Sequence, residues 1–157
     1  MKLTSSISKV FQNLTKGPGY AEGLQDAIAH KDAAKVEVLV DTAIQCNEVD
    51  DIIPLMRALC MANWHFKHED AVLLLQKYGE VADIPSLENV AGKSFPYQAY
   101  DESFGLARKV TWALADIGGK EAREALERIE SGDNPTIAGY ARKRLLNWDA
   151  ESSRKRN

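Results

Sequence analysis

The sequence lacks any apolar run long enough to cross a membrane. A spanning helix needs roughly 20 consecutive apolar residues, and polar or charged residues interrupt every apolar stretch of this chain. The first 14 residues contain a lysine at position 2 but no continuous apolar segment, so we expect that they are not a secretory signal. These absences predict a cytoplasmic protein that does not contact a membrane.

Cysteine is also scarce, with only Cys46 and Cys60 in the chain. Both lie on helical patterns, and their spacing matches neither a paired-cysteine metal site nor a disulfide framework. We expect both to stay reduced and to behave as small apolar side chains.

Motifs of catalysis and cofactor binding are missing as well. There is no G-x-S-x-G segment and no glycine-rich phosphate loop followed by lysine. The run Gly17-Pro18-Gly19 ends a helical pattern, and Cys60 lies in an apolar stripe where a thiolate would be costly. The sequence therefore predicts no nucleophile, no cofactor and no enzymatic activity.

The net charge is small, −3, but it is unevenly distributed. Residues 51–104 contain 4 lysines or arginines against 8 acids, whereas residues 105–157 contain 11 against 8. Lysine and arginine supply most of the affinity for a phosphate backbone. A mildly acidic chain is therefore not expected to bind nucleic acid, and the acidic region would suit a basic protein partner.

Apolar residues recur at helical period along the whole chain, and no convincing alternating strand is present. Helices are predicted over 101–117, 119–131 and 135–149, the last with Asp133 or Asn134 as N-cap before Pro135. A further short helix is predicted around 83–91. The earlier stripes are Ile7, Val10, Phe11, Leu14; Tyr20, Leu24, Ala27, Ile28; Val36, Leu39, Val40, Ala43; Val49, Ile52, Ile53, Met56, Leu59, Cys60; and Ala71, Val72, Leu75, Tyr78.

An internal repeat connects two of these helices. Residues 105–114, GLARKVTWAL, align with residues 139–148, GYARKRLLNW, at an offset of 34 with four identities in ten positions. The run 113–145, ALADIGGKEAREALERIESGDNPTIAGYARKRL, resembles HEAT repeats of the short variety also seen in bilin-lyase-like proteins. In these repeats L-x-x-I-G ends one helix, A-x-x-x-L follows a tight turn, and D/N-P opens the next. Residues 68–91, with I-P-x-L, resemble HEAT repeats too.

The resemblance implies an all-α fold: a right-handed α-solenoid of about four HEAT-like helical hairpins plus an N-terminal helix. We expect residues 1–149 to form this single domain and residues 150–157 to be a disordered basic tail. Such a solenoid presents a concave surface suited to another macromolecule.

One histidine-rich group could carry chemistry: His65, His68, Glu69 and Asp70. The spacing H-x-x-H-E is neither the H-E-x-x-H zinc motif nor its inverse. The two acids also fit the first turn of a helix, where the macrodipole favours negative charge. We predict no metal here and leave helix-start and partner-binding roles open, with His68 and Glu69 as partner-binding candidates.

The segment before and within the 101–117 helix is the best candidate surface. Proline-stiffened residues 92–100 carry three aromatic rings, which either bind a partner or fold back to cap the repeat below. Trp112 is either a core residue or an interface anchor, and Arg108 either contacts a partner or bridges to Asp101 or Asp116. The partner-binding candidates here are Phe95, Tyr97, Tyr100, Asp101, Glu102, Arg108 and Trp112.

These expectations together describe a protein-binding module. Small HEAT-like proteins include bacterial immunity proteins, and the resemblance implies a monomer that binds one cognate toxin domain, such as a nuclease in contact-dependent growth inhibition, and covers its active site. The alternatives are a scaffold or assembly factor, or a bilin-lyase-like enzyme or chaperone. A lyase would depend on His65, His68 and Glu69.

Overall fold

Helices are the only regular secondary structure in residues 19–156, the part of the chain that the computed structural model describes. This confirms the predicted all-α class. The N-terminal helix predicted from Ile7, Val10, Phe11 and Leu14 lies outside the described residues. No helix between residues 19 and 156 is both long and apolar enough to cross a bilayer.

Nine α-helices and four short 3₁₀ segments follow one another in residues 19–156. The α-helices are α1 (Tyr20–Ala29), α2 (Ala33–Gln45), α3 (Ile53–Met61), α4 (His68–Tyr78), α5 (Ile84–Ala91), α6 (Gly105–Ile117), α7 (Gly119–Glu130), α8 (Pro135–Leu146) and α9 (Trp148–Ser153). The 3₁₀ segments are Asp50–Ile52, Val81–Asp83, Pro96–Gln98 and Arg154–Arg156.

Local sequence signals explain where several helices begin and end. The Asn134 side chain accepts hydrogen bonds from the backbone N–H groups of Thr136 and Ile137, at 3.0 and 3.2 Å, and Pro135 occupies the first helical position. Of the two predicted candidates, Asp133 and Asn134, the N-cap is therefore Asn134. Between α6 and α7, Gly118 adopts φ +71°, a backbone conformation that side chains with a Cβ rarely adopt.

The helices contact one another in an alternating order. Consecutive helices form the pairs α1–α2, α3–α4, α5–α6 and α7–α8. Every second helix is also in contact, in the series α1–α3–α5–α7 and α4–α6–α8. Stacked helical hairpins produce contacts of this kind. The handedness of the stack and its membership of the HEAT class stay predictions.

Helix α6 lies at the centre of the second half of the stack. It contacts α4, α5, α7, α8 and α9, so its surroundings are apolar on several sides. More than one face of α6 is buried, because the polar residues Thr111 and Asp116 are buried as well as its apolar residues. The buried residues of α6 are Leu106, Ala107, Val110, Thr111, Ala113, Leu114, Ala115 and Asp116.

The C-terminal segment differs from the prediction. Residues 150–157 were expected to be a disordered tail, but α9 extends to Ser153 and a 3₁₀ turn follows to Arg156. Arg154 donates from Nε and Nη2 to Oδ1 of Asp116, at 3.0 and 2.5 Å. A carboxylate that is only 8% exposed requires a cationic or hydrogen-bonding partner, and this requirement holds the segment against α6.

Candidate functional site

The aromatic loop before α6 folds back onto the helices below it. Phe95 is 3% exposed, and its ring stacks on the imidazole of His68 with centroids 3.7 Å apart. Tyr97 is half-buried, and its hydroxyl donates to Nδ1 of His68 at 2.7 Å. Of the two alternatives for this loop, Phe95 and Tyr97 therefore follow the second: they fold back and cap the helices below. Burial against His68 stabilises Phe95 in this position.

The two central histidines are buried and stacked, with ring centroids 4.1 Å apart. His65 donates from Nε2 to the carbonyl of Leu59 at 2.8 Å and accepts at Nδ1 from the N–H of Lys67 at 3.0 Å. His68 donates from Nε2 to the carbonyl of Ala62 at 2.8 Å and accepts at Nδ1 from Tyr97. All four ring nitrogens are therefore occupied, and none has a lone pair left for a metal ion.

Burial also keeps these imidazoles neutral. Loss of solvation lowers the pKa of His65, and it lowers the pKa of His68 to about 4. The same loss of solvation raises the pKa of Tyr97 to about 12. His68, predicted to contact a partner, has no exposed surface, and both its nitrogens are bonded internally.

Glu69 joins this buried cluster to α6. It forms an ion pair with Nζ of Lys109 and accepts a hydrogen bond from the side-chain amide of Gln98 at 3.3 Å. Its side chain is 43% exposed, so a partner could reach it. Its first-turn position in α4, beside Asp70, matches the helix-start interpretation of the histidine-rich group.

A groove of about 650 Å³ opens beside the loop, between α5, α6, α7 and α8. Its apolar lining comes from Ala91, Phe95, Ala99, Phe104, Leu106, Ala107, Ile129 and Ile137. Its charged lining comes from Glu88, Lys93, Asp101, Glu102, Arg128 and Asp133. An apolar pocket with a few charged groups is the usual form of a binding site.

Charges around this groove are not all free to meet a ligand. Arg128 donates to both oxygens of Glu88, at 2.7 and 2.9 Å, and the two charges neutralise each other. Glu102 and Asp133 are exposed, and neither has an ion-pair partner in the described part of the chain. Together with Asp101 they give this groove a surplus of negative charge.

Asp101 is held in place by the start of α6. Its Oδ2 accepts from the N–H of Gly105 at 2.7 Å, and its Oδ1 accepts from the N–H and the hydroxyl of Ser103. The Ser103 hydroxyl and the Gly105 N–H lower the pKa of Asp101. Between them Phe104 takes a left-handed conformation, φ +52°, that turns the chain into the helix. Asp101 is therefore an ionised, oriented group of the groove.

Tyr100 is the most exposed large apolar residue of the described chain, at 85%. It immediately precedes Asp101 and Glu102 in the loop that forms one wall of the groove. A rigid aromatic ring on the surface, next to acidic groups, is suited to contact another protein. Of the loop aromatics predicted to bind a partner, Tyr100 is the one that the structure leaves open.

Trp112 fits neither of its two predicted roles fully. The guanidinium carbons of Arg144 and Arg154 lie 3.5 and 4.3 Å from the centre of its ring, which is partly buried. The C-terminal segment thus covers a residue expected to be core or interface. Arg108 is exposed, and Arg154 rather than Arg108 is the ion-pair partner of Asp116.

Several groove residues escaped the sequence analysis because they come from separate helices. Phe104, Ile129, Asp133 and Ile137 converge only after α5 to α8 have assembled. The one local signal was the aromatic residue directly before Gly105, where α6 begins four residues later than predicted. The predicted residues that the structure does bring together at this groove are Phe95, Asp101 and Glu102.

Comparison with known proteins assigns no family. No protein-family model matches the sequence. Comparisons with curated proteins and with solved structures also find no significant match. The resemblance to HEAT repeats therefore stays a prediction, and the proposals below rest on the geometry of the described residues.

Proposed function

We propose that this chain is a protein-binding module whose groove between α5 and α8 accepts a basic segment of a protein partner. The observation that carries the proposal is the groove itself, with its apolar lining, the oriented carboxylate of Asp101 and the exposed acids Glu102 and Asp133. Tyr100 offers an aromatic anchor beside it. Apolar contacts would hold the complex, and the acids would raise the association rate and select a basic partner.

The partner that fits the HEAT-like resemblance is a toxin domain of a bacterial toxin system. Nuclease toxins that act on a phosphate backbone need a basic surface. An acidic groove that covers such a surface would block access to the nucleic acid without any catalysis by the immunity protein. The bilin-lyase alternative loses its support, because His65 and His68 are buried with every ring nitrogen bonded internally.

The test is co-expression with the candidate toxin encoded by the neighbouring gene. We expect growth rescue and a 1:1 complex in size-exclusion chromatography with light scattering. The double variant Glu102→Lys/Asp133→Lys and the single variant Tyr100→Ala should each weaken the complex at least tenfold, measured by calorimetry. All three residues are exposed, so folding should be unaffected.

The matched control is Glu37→Lys/Asp51→Lys, which makes the same change in net charge on exposed residues outside the groove. It should leave the affinity within about twofold of the original, since rim charges far from an interface act only through long-range attraction. Equal weakening by both double variants would show that overall charge, and not this groove, determines binding. Absence of any complex would refute the toxin partner.

A further inference from the structure

A second pocket, of about 460 Å³, lies between α6 and α8. Its lining is basic and aromatic: Arg108, Lys109, Trp112, Tyr140, Lys143 and Arg144, together with Thr111. No acidic side chain lines it. This concentration of cations is notable in a chain whose net charge is −3, and it is separate from the acidic groove.

The positive charge of this pocket is only partly compensated. Lys109 forms an ion pair with Glu69. Among residues 19–156, no carboxylate lies within ion-pair distance of Arg108 or Lys143. Arg108 and Lys143 are both exposed, and both line this pocket without an ion-pair partner among those residues.

The third cation, Arg144, is buried and lacks hydrogen-bond partners in residues 19–156 for two of its nitrogens. The side chain of Arg144 is 5% exposed, and its Nε and Nη1 have no hydrogen-bond partner within the described residues. Oε1 of Glu151 is the nearest carboxylate oxygen, 3.5 Å from Nη1, which is longer than the roughly 2.7–2.9 Å of a charge-assisted hydrogen bond. Unsatisfied donors of a buried charged group are costly and call for a partner.

Trp112 holds this guanidinium in one orientation. The Arg144 guanidinium carbon lies 3.5 Å from the centre of the indole ring. A guanidinium that stacks on an aromatic ring keeps its N–H donors in its own plane, where they can bind a planar or tetrahedral oxyanion. The neighbouring Tyr140 is fixed by its hydroxyl, which donates to the carbonyl of Ser103 at 2.6 Å. The pocket is therefore preorganised.

We propose that this pocket binds a phosphate monoester group, with Arg108, Lys143 and Arg144 as its ligands. Arg108 and Lys143 have no ion-pair partner in the described part of the chain, and the ion pair of Arg144 with Glu151 is 3.5 Å long. These cations match the two negative charges of a phosphate monoester better than the single charge of a carboxylate. The inference goes beyond the proposed groove function, since it concerns different residues and a ligand of opposite charge. The monoester can belong to a small molecule or to a phosphorylated side chain of a protein.

The first experiment is calorimetric titration of the full chain with inorganic phosphate at low ionic strength. We expect binding that the variant Arg108→Ala/Lys143→Ala weakens at least tenfold. Both residues are exposed, so the variant should fold, and circular dichroism checks this. The control Lys120→Ala/Arg123→Ala removes the same charge from the exposed side of α7 and should bind phosphate as the original chain does.

The second experiment separates the two sources by titration with adenosine monophosphate and with a phosphoserine peptide. If one of these two ligands binds more tightly than inorganic phosphate, that ligand identifies the source of the monoester. Binding of inorganic phosphate alone contradicts the assignment to a monoester. The proposal is overturned if none of the three probes binds, or if both double variants weaken binding equally. The second outcome would mean nonspecific attraction to lysine and arginine.

Discussion

At the scale of single residues, the described part of the chain uses its histidines for structure. His65 and His68 lie under the aromatic loop, stacked on each other and on Phe95. They connect the end of α3, the start of α4 and Tyr97 by hydrogen bonds to the backbone and to a hydroxyl. This arrangement requires neutral rings, because each ring accepts a hydrogen bond at Nδ1. Stability should therefore depend on pH.

Acid should destabilise the protein through His68. Its folded pKa, about 4, is lower than the unfolded value of about 6.5, so the unfolded state binds the proton first. The stabilisation is complete above pH 6.5 and is lost as pH falls from there towards 4, by about 3 kcal/mol. We expect His68→Gln to flatten this part of the pH dependence of the free energy of unfolding, measured by denaturant titration.

Exposed His30 provides the control for this prediction. His30→Gln changes an exposed side chain outside the buried cluster, and we expect the slope of stability against pH to equal that of the original chain. His65 should continue to supply part of the slope in the His68→Gln variant, since burial lowers its pKa as well. A slope in His68→Gln equal to that of the original chain would contradict the assignment.

At the scale of elements, helix α9 shows how one buried charge orders a segment for which the sequence pattern predicts no structure. Asp116 on α6 accepts from the side-chain amide of Gln76 on α4 and from Arg154 after α9. Arg154 also lies over Trp112. One carboxylate thus joins three elements, and the predicted disordered tail becomes part of the structure.

Removal of the Arg154 side chain should loosen α9. Arg154→Ala leaves Asp116, 8% exposed, with Gln76 as its remaining donor. We expect a loss of about 1–3 kcal/mol in the free energy of unfolding, because a buried charge loses its counter-ion. The second change Asp116→Asn should restore part of the loss, since an amide costs less to bury than a carboxylate.

Arg123→Ala is the matched control for this variant. Arg123 forms an exposed pair with Glu127 one turn along α7, at 3.3 Å. Such surface pairs contribute about 0.3–0.5 kcal/mol. If Arg154→Ala cost no more than Arg123→Ala, the contact between α9 and Asp116 would have no structural importance.

At the scale of the whole molecule, two opposite charge patterns lie on neighbouring parts of one stack. The acidic excess of residues 51–104 is mostly consumed by internal ion pairs, such as Glu69–Lys109 and Glu88–Arg128. The groove instead takes one of its exposed acids, Asp133, from the basic half of the sequence. Sequence analysis therefore predicted Asp101 and Glu102 as binding residues, but it did not predict that Asp133 would join them.

A continuous core should make the described helices unfold together. Buried residues from Leu24 on α1 to Ala141 on α8 form one cluster. We expect chemical denaturation to give one transition, with coincident curves from far-ultraviolet circular dichroism and tryptophan fluorescence. Trp64, between α3 and α4, and Trp148, in α9, both pack against this cluster. Two separated transitions would instead show that the stack unfolds in parts, as long repeat arrays do.

Sequence alone determined the helical class, the approximate helix bounds and local caps such as Asn134, because these depend on neighbours within a few residues. It also singled out the segment 92–102, of which Asp101, Glu102 and Phe95 line the groove. It left open whether the loop aromatics were exposed. Only tertiary packing decided that Phe95 and His68 are buried while Tyr100 is not.

The basic pocket shows the same division most clearly. Arg108 and Lys109 were visible as part of a repeat matched 34 residues later, but their meeting with Lys143 and buried Arg144 depends on how α6 packs against α8. Helical periodicity places side chains on faces of one helix, whereas distances between helices follow from how all their apolar faces are buried at once. For that reason the sequence determined the elements, and the tertiary structure decided which charges are paired, which are buried and which remain for a ligand.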